Sequence, residues 1–142
     1  MAKKGLILAL VLVLSLIGYG YWQATGSETG PNNKAPRIEV KPKSFHFGAV
    51  NYGQKLETSF RLMNQGEEKL VIKRVATSCG CTRAWVEKKE LAPGEEMNLK
   101  VVYDTQAMTG PKARGRQERI IYLKTNDPAR PQLEVKIYAD VN

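Results

Sequence analysis

The sequence predicts an all-β, immunoglobulin-like sandwich of seven or eight strands in two sheets, preceded by one N-terminal transmembrane helix. Two patterns predict this fold class: an uncharged apolar run near the N-terminus, and a period-two alternation of apolar and polar residues through much of the remaining chain. Size is the third observation, because residues 36–142 have the length of a single sandwich domain.

The composition of the 142-residue chain narrows the classes of protein to which it can belong. With 42% hydrophobic and 25% charged residues, the chain is apolar enough for a folded core and too apolar for general disorder. Two cysteines exclude a multi-disulfide scaffold, and the length excludes a large two-domain enzyme. The net charge of +8 is compatible with an anionic partner but identifies none.

The N-terminal apolar run predicts a membrane-spanning helix. Residues 5–22 contain no charged side chain, and a helix of 18 residues spans about 27 Å, enough to cross the hydrocarbon core of a bilayer. Lys3 and Lys4 precede the run, so residues 1–4 are expected to stay in the cytoplasm. Residues 23–35 have no apolar periodicity and predict a flexible linker. The sequence therefore predicts a single-pass protein of the inner cell membrane, with its domain on the periplasmic side.

The apolar run has two interpretations: a signal peptide that is cleaved, and a signal anchor that is retained. Gly18 and Gly20 are small residues of the kind that a cleavage site requires. Tyr19, Tyr21 and Trp22 instead resemble the aromatic belt of a helix that stays in the membrane. We favour the anchor on this evidence.

Most of the exported part predicts β-strands with one buried face. Apolar residues recur at alternate positions in three stretches, which are residues 55–62, 97–103 and 133–141. Shorter candidate strands are residues 37–41, 45–47, 70–76, 82–86 and 120–125. In one of them, alternation sends Phe45 and Phe47 inward and His46 outward. Turn sequences separate the strands, at Asn64-Gln65-Gly66, Pro93-Gly94 and Asn126-Asp127-Pro128.

Cys79 and Cys81 lie in the sharpest local motif of the domain, the sequence Thr-Ser-Cys-Gly-Cys-Thr at residues 77–82. If the chain is extended there, period two places both sulfurs on one face with Arg83 and Trp85. Basic residues nearby favour the thiolate form, which attacks disulfides and binds soft metals. Four interpretations remain open: a local disulfide or two small buried groups, a Cu(I) site, thiol exchange with a partner protein, and hydrolysis by a cysteine nucleophile.

The surrounding sequence limits the chemistry of this motif. A Cu(I) ion held by both sulfurs could take a further ligand from Met63, Met97, Met108 or His46. Hydrolysis is disfavoured, because His46 is the only histidine and no residue marks an orienting acid or amide. Zinc would need a second ligand pair, and haem attachment would need Cys-x-x-Cys-His. Phosphate-binding loops and nucleophile elbows are also missing from the sequence, so we predict neither an enzyme nor a small-molecule substrate.

A basic stretch forms the longest predicted connection, residues 105–118. It carries Lys112, Arg114 and Arg116, with Arg119 just beyond it. A solvated loop is one interpretation, and binding of an anionic partner such as lipid headgroups or an envelope polymer is the other. Nucleic acid is not expected, because no aromatic residues alternate with these charges to stack on bases.

Five short motifs in the exported part together resemble one known family. They are Phe45-His46-Phe47-Gly48, Asn64-Gln65-Gly66, Thr77-Ser78-Cys79-Gly80-Cys81-Thr82, Leu91-Ala92-Pro93-Gly94-Glu95 and Thr125-Asn126-Asp127-Pro128. Their order resembles that of the bacterial envelope family catalogued as domain of unknown function 1573, over residues 38–141. The resemblance implies an exported immunoglobulin-like sandwich, related in shape to Hydin-like and major-sperm-protein-like modules, with no established activity. It also implies that Cys79 and Cys81 are a signature of the family.

The sequence as a whole predicts a membrane-anchored exported module that binds a partner protein of the cell envelope. Because modules of the resembled kind generally serve as binding or assembly surfaces, we expect an accessory subunit of an envelope complex. The alternatives are a Cu(I)-binding carrier and a thiol-disulfide redox protein, both acting through Cys79 and Cys81.

Overall fold

The structure, a computed structural model, describes residues 34–142 as an all-β domain of nine strands. The predicted cytoplasmic tip, the predicted transmembrane helix and residues 23–33 of the predicted linker lie outside the described residues. Within residues 34–142, neither helical segment has the length and apolar character that crossing a membrane requires.

Strands occupy most of the described chain, and two short helical turns lie together between two of the strands. The strands are β1 (Ile38–Lys41), β2 (Ser44–Val50), β3 (Lys55–Asn64), β4 (Leu70–Thr77), β5 (Thr82–Val86), β6 (Glu90–Leu91), β7 (Glu96–Asp104), β8 (Gly115–Thr125) and β9 (Gln132–Val141). Two 3₁₀ helices, Thr105–Ala107 and Pro111–Ala113, lie between β7 and β8. The ninth strand escapes prediction because β6 has only two residues, which is too short to show an alternation.

The strands form two sheets that enclose one core, which confirms the predicted sandwich. The four-stranded sheet has the order β1-β3-β7-β5, and the five-stranded sheet has the order β2-β9-β8-β4-β6. Neighbouring strands are antiparallel except for β2 and β9, which are parallel. Fully buried side chains come from both sheets; the largest include Tyr103, Phe60, Leu99, Ile121, Leu123 and Ile137.

Period-two alternation places the predicted apolar faces of β3, β7 and β9 toward the core. Along β7, for example, Leu99 and Val101 are buried while Lys100 between them is exposed. The predicted inward orientation of Phe45 is wrong, because 37% of this side chain is exposed. Phe45 lies on the edge strand β2, where its ring packs edge-on against Phe47 at a centroid distance of 5.0 Å.

Strand β8 begins earlier than the sequence predicts, so the predicted loop 105–118 is too long. Gly115 to Glu118 already pair with β9, from the register Gly115↔Val141 onward. The inward side chains at this end of the strand are Gln117 and Arg119, both buried. Strand prediction relies on apolar residues at the buried positions. Because these positions are polar at the start of β8, the sequence there resembles a loop and does not predict the start of the strand.

Two of the predicted turns hold β1 against the rest of the sandwich. The carboxyl group of Asp127 accepts a hydrogen bond from the backbone N–H of Ile38 at 2.9 Å. The side-chain oxygen of Asn64 accepts from the backbone N–H groups of Gly66 at 2.9 Å and Arg37 at 3.3 Å. Asn64 and Asp127 are both fully buried, so these turn motifs have a structural role.

Candidate functional site

The cysteine motif forms the connection that carries the chain from one sheet to the other. β4, in the five-stranded sheet, ends at Thr77, and β5, in the four-stranded sheet, begins at Thr82. The hydroxyl of Thr77 lies 3.0 Å from the carbonyl oxygens of both Cys79 and Thr82. The backbone N–H of Ser78 donates to the carbonyl of Ile120 at 2.9 Å. Threonine and serine therefore fix the turn that presents the two sulfurs.

Cys79 and Cys81 form a disulfide, with 5.3 Å between their Cα atoms. Of the interpretations that the sequence left open, the local disulfide is the state in the structure. Cys81 is 4% exposed, whereas Cys79 is only partly buried. The condition of an extended chain is not met, because the chain turns at Gly80 and Cys81; Cys81 is buried, whereas Arg83 and Trp85 are exposed.

A buried arginine lies beside this disulfide. Arg119 is 9% exposed, and its Nε donates to Sγ of Cys81 at 3.1 Å. Its Nη2 donates to Sδ of Met108 at 2.9 Å and to the hydroxyl of Tyr103 at 3.4 Å. The guanidinium carbon lies 5.1 Å from the centre of the Tyr103 ring, within the range of a cation–π interaction. Two sulfurs and an aromatic ring therefore lie next to this cation, together with the side-chain oxygen of Gln117 and the carbonyl oxygen of Glu118.

The structure divides the predicted basic group Lys112, Arg114, Arg116 and Arg119. The first three side chains are exposed, but Arg119 points into the domain, so its predicted place on the basic surface is wrong. The reason is the early start of β8, which gives Arg119 an inward position on the strand. Arg114 lies over the ring of Tyr52, 4.8 Å from its centre. Arg116 instead lines a cleft of about 280 Å³ next to β9.

The residues suggested as further Cu(I) ligands lie on different elements. His46 is on β2, where its ring stacks on Tyr138 at a centroid distance of 4.5 Å. Met63 is on β3 and Met97 on β7. Met108 is linked to the cysteines through Arg119, whose guanidinium bonds to both Sδ of Met108 and Sγ of Cys81. Within residues 34–142, no three His, Cys, Asp or Glu side chains are grouped as metal ligands.

A second exposed feature, which the sequence did not single out as a site, is Trp85 on β5. Its side chain is 44% exposed, and β5 is an edge strand that pairs with β7 alone among the described strands. Trp85 lines a shallow groove of about 320 Å³ on the outer face of the four-stranded sheet, together with Ser59 and Lys100. The outward position of a tryptophan in the alternation of β5 is the signal that could have identified this surface.

The charges at this groove are unevenly paired. Lys100 lies directly across from Trp85 in the sheet and contacts Glu87 at 2.8 Å. The hydrogen bond from Lys100, together with its positive charge, holds the pKa of Glu87 below its ordinary value. Arg83, on the same face of β5 as Trp85, has no ion pair among the described residues. The groove itself is lined by the exposed indole with Glu57 and Lys100, and Arg83 lies on the same strand face outside this lining.

Comparison with known proteins extends the description of the fold. The model of a family described as protein of unknown function, DUF1573, matches residues 38–141. No curated protein matches the chain.

Several solved structures share the fold. A protein of unknown function from Porphyromonas gingivalis W83 is 21% identical, with a TM-score of 0.68; the match covers 80% of this chain and 51% of that one. The PapD-like domain 7 of human CEP192 is 11% identical, with a TM-score of 0.57 and coverage of 82% and 92%. The YadV chaperone is 14% identical, with a TM-score of 0.54 and coverage of 74% and 52%. This chain thus spans about half the length of the Porphyromonas gingivalis protein.

Proposed function

We propose, from the premise that this chain belongs to the DUF1573 family of proteins of unknown function, that its sandwich domain acts by binding another protein. The observation that carries this proposal is the exposed Trp85 on the edge strand β5. Tryptophan is enriched among the residues that dominate binding energy at protein interfaces. One protein with the same fold is named a chaperone, which supports a role in binding polypeptides.

The edge strand suggests how a partner would bind. An extended segment of a partner can add to an open sheet edge, where backbone hydrogen bonds give affinity and alternate side chains give specificity. Residues 83–86 of β5 offer such an edge, and Arg83 and Trp85 share its outer face. We therefore infer that the partner segment is extended, with an apolar side chain next to Trp85 and an acidic side chain two positions away, next to Arg83.

The binding test compares the two exposed large aromatic residues of the described domain. We expect Trp85→Ala in the full-length chain to weaken capture of the partner from solubilised cell envelope by about tenfold, because it removes the apolar anchor. Phe45→Ala is the matched control, since Phe45 is 37% exposed but lies on β2 at the edge of the other sheet. Affinity is measured by titrating the captured partner against each purified variant. Equal affinity of the Trp85→Ala variant and the original chain would contradict the proposal.

We further propose that the domain works at the periplasmic face of the inner membrane. Residues 5–22 would be its retained anchor and residues 23–35 its tether, so that the partner would be another envelope protein. We expect the native protein, extracted from membranes, to have the mass of the full chain of 142 residues. Intact mass spectrometry measures this directly. A mass that lacks the first 18 to 22 residues would replace the anchor with a cleaved signal peptide.

A further inference from the structure

The buried guanidinium of Arg119 lacks a negatively charged partner in the described part of the chain. Its other hydrogen bonds go to neutral groups, including the backbone carbonyl of Glu118 at 2.7 Å and the side-chain oxygen of Gln117. Removing a cation from water is costly unless an anion or several hydrogen bonds compensate. Disulfide sulfur is neutral, so while Cys79 and Cys81 are bonded to each other the cation is held by hydrogen bonds to neutral groups and no anion balances its charge.

Reduction of the disulfide would supply the missing anion at the right atom. The Nε of Arg119 lies 3.1 Å from Sγ of Cys81, so a thiolate formed there has a charged hydrogen-bond donor already next to it. Positive neighbours stabilise a thiolate, and a more stable thiolate leaves faster in thiol–disulfide exchange. Arg119 thus favours attack on Cys79, because the disulfide then breaks with the negative charge on the sulfur of Cys81.

The two sulfurs also differ in access. Cys81 is 4% exposed, while the partly buried Cys79 is the more accessible sulfur. Gly80 between them is exposed, and a Cβ atom added there would contact nothing within 4 Å, so no side chain covers the turn. An incoming thiolate therefore reaches Cys79 more readily than Cys81.

Charged groups around the turn favour an anionic attacker. A cleft of about 160 Å³ beside Gly80 and Cys81 is lined by Lys55, Arg83 and Asp104. Lys55 and Asp104 lie 3.9 Å apart as an ion pair, which leaves Arg83 as the unbalanced charge at the cleft. Together with Arg119 and Tyr103, these are the titratable groups that the structure places around Cys81 in the described domain.

We propose that the Cys79–Cys81 disulfide oxidises a dithiol of a partner protein, with Cys79 as the attacked sulfur and Cys81 as the leaving thiolate held by Arg119. A partner thiol first loses its proton to water, and its sulfur bonds to Sγ of Cys79 while the bond between Cys79 and Cys81 breaks. The second partner thiol then attacks the partner sulfur of this mixed disulfide and passes its proton to the departing Cys79. The partner ends with a disulfide, and this chain ends with a thiol at Cys79 and a thiolate at Cys81.

The position of the mixed disulfide tests which sulfur is attacked. The full-length oxidised chain is exposed briefly to reduced glutathione, quenched with acid, alkylated and fragmented between the two cysteines for mass spectrometry. We expect glutathione on Cys79 and the alkyl group on Cys81. Glutathione mainly on Cys81, or no adduct under conditions where the denatured chain reacts, would overturn the proposal.

The rate of reduction tests the role of Arg119 as a positioning residue. We expect Arg119→Met to slow reduction of the disulfide by dithiothreitol about tenfold, because the leaving thiolate loses its cation. Arg116→Met is the matched control on the same strand, since Arg116 is exposed, and its rate should equal that of the original chain. An unchanged rate in folded Arg119→Met would overturn the proposal.

A spectroscopic readout distinguishes this role from a purely structural one. In the reduced chain, the ultraviolet absorbance of one thiolate should persist to lower pH than in Arg119→Met. If circular dichroism shows that Arg119→Met does not fold, Arg119→Lys replaces it, because lysine keeps the charge but not the Nε donor. Its thiolate absorbance should then be lost at a higher pH than that of the original chain. Thiolate absorbance in the reduced original chain that disappears at the pH of an ordinary cysteine would overturn the proposal.

Discussion

Asp127→Ala should lower the free energy of unfolding by about 3 kcal/mol, because it leaves three backbone N–H groups without an acceptor. The carboxyl group of Asp127 is 1% exposed and accepts hydrogen bonds from Ile38 at 2.9 Å, Ala129 at 2.8 Å and Arg130 at 3.2 Å. It therefore joins the turn after β8 to the start of β1. Urea unfolding of the full-length chain, followed by tryptophan fluorescence, measures the change.

Two further variants separate the hydrogen bonds of Asp127 from its charge. Asp127→Asn keeps one carbonyl oxygen but places an amide donor toward other donors, so we expect roughly half of the loss. Asp140→Ala, at an exposed aspartate on β9, should change stability by less than about 0.5 kcal/mol. If Asp127→Ala behaved like Asp140→Ala, the carboxyl group would not hold β1 in place.

Much of the fold is predictable from the sequence because each sheet has one buried face. Alternation along β7 and β9 directly reports which residues enter the core, and the sandwich follows from the number and length of such strands. The alternation of apolar and polar residues does not report the strand where the buried positions are not apolar or the inward face is not fully buried. At the start of β8 the buried positions are the polar Gln117 and Arg119, and at Phe45 the strand lies on a sheet edge, where burial is incomplete.

The sequence predicts the two cysteines of the candidate site but not the arginine beside them. Cys79 and Cys81 are adjacent in a conspicuous motif, so their local disulfide can be anticipated as one alternative. Arg119, however, lies 38 residues from Cys81, and a basic residue next to a basic loop predicts a solvent-exposed charge. Contact between such distant positions depends on how β5 and β8 are placed in the two sheets, and no local pattern encodes that placement.

The fold explains two of the turn motifs of the domain but does not explain the glycine between the cysteines. Hydrogen bonds of Asn64 and Asp127 to backbone groups account for the two Asn-containing turns. Glycine at position 80 has no such explanation, because its φ lies outside the positive range and no atom lies within 4 Å of an added Cβ. A glycine at position 80 is instead expected if the absence of a side chain keeps the sulfur of Cys79 accessible to a reacting thiol.

Gly66→Ala should destabilise the domain by about 3 kcal/mol, because an added Cβ would overlap the carbonyl oxygen of Ala35 and the backbone nitrogen of Arg37. The chain cannot yield easily, since the neighbouring Gln65 and Glu67 N–H groups donate to Arg37 and Ala35.

Gly80→Ala is the matched control, and we expect a change in stability below about 0.5 kcal/mol. Thermal unfolding of both variants of the full-length chain measures the contrast. Because alanine fits at position 80, Gly80→Leu can then be used to cover the turn, and it should slow the reaction of glutathione with Cys79 while the fold is kept. Equal destabilisation by Gly66→Ala and Gly80→Ala would instead assign the glycine between the cysteines a structural role like that of Gly66.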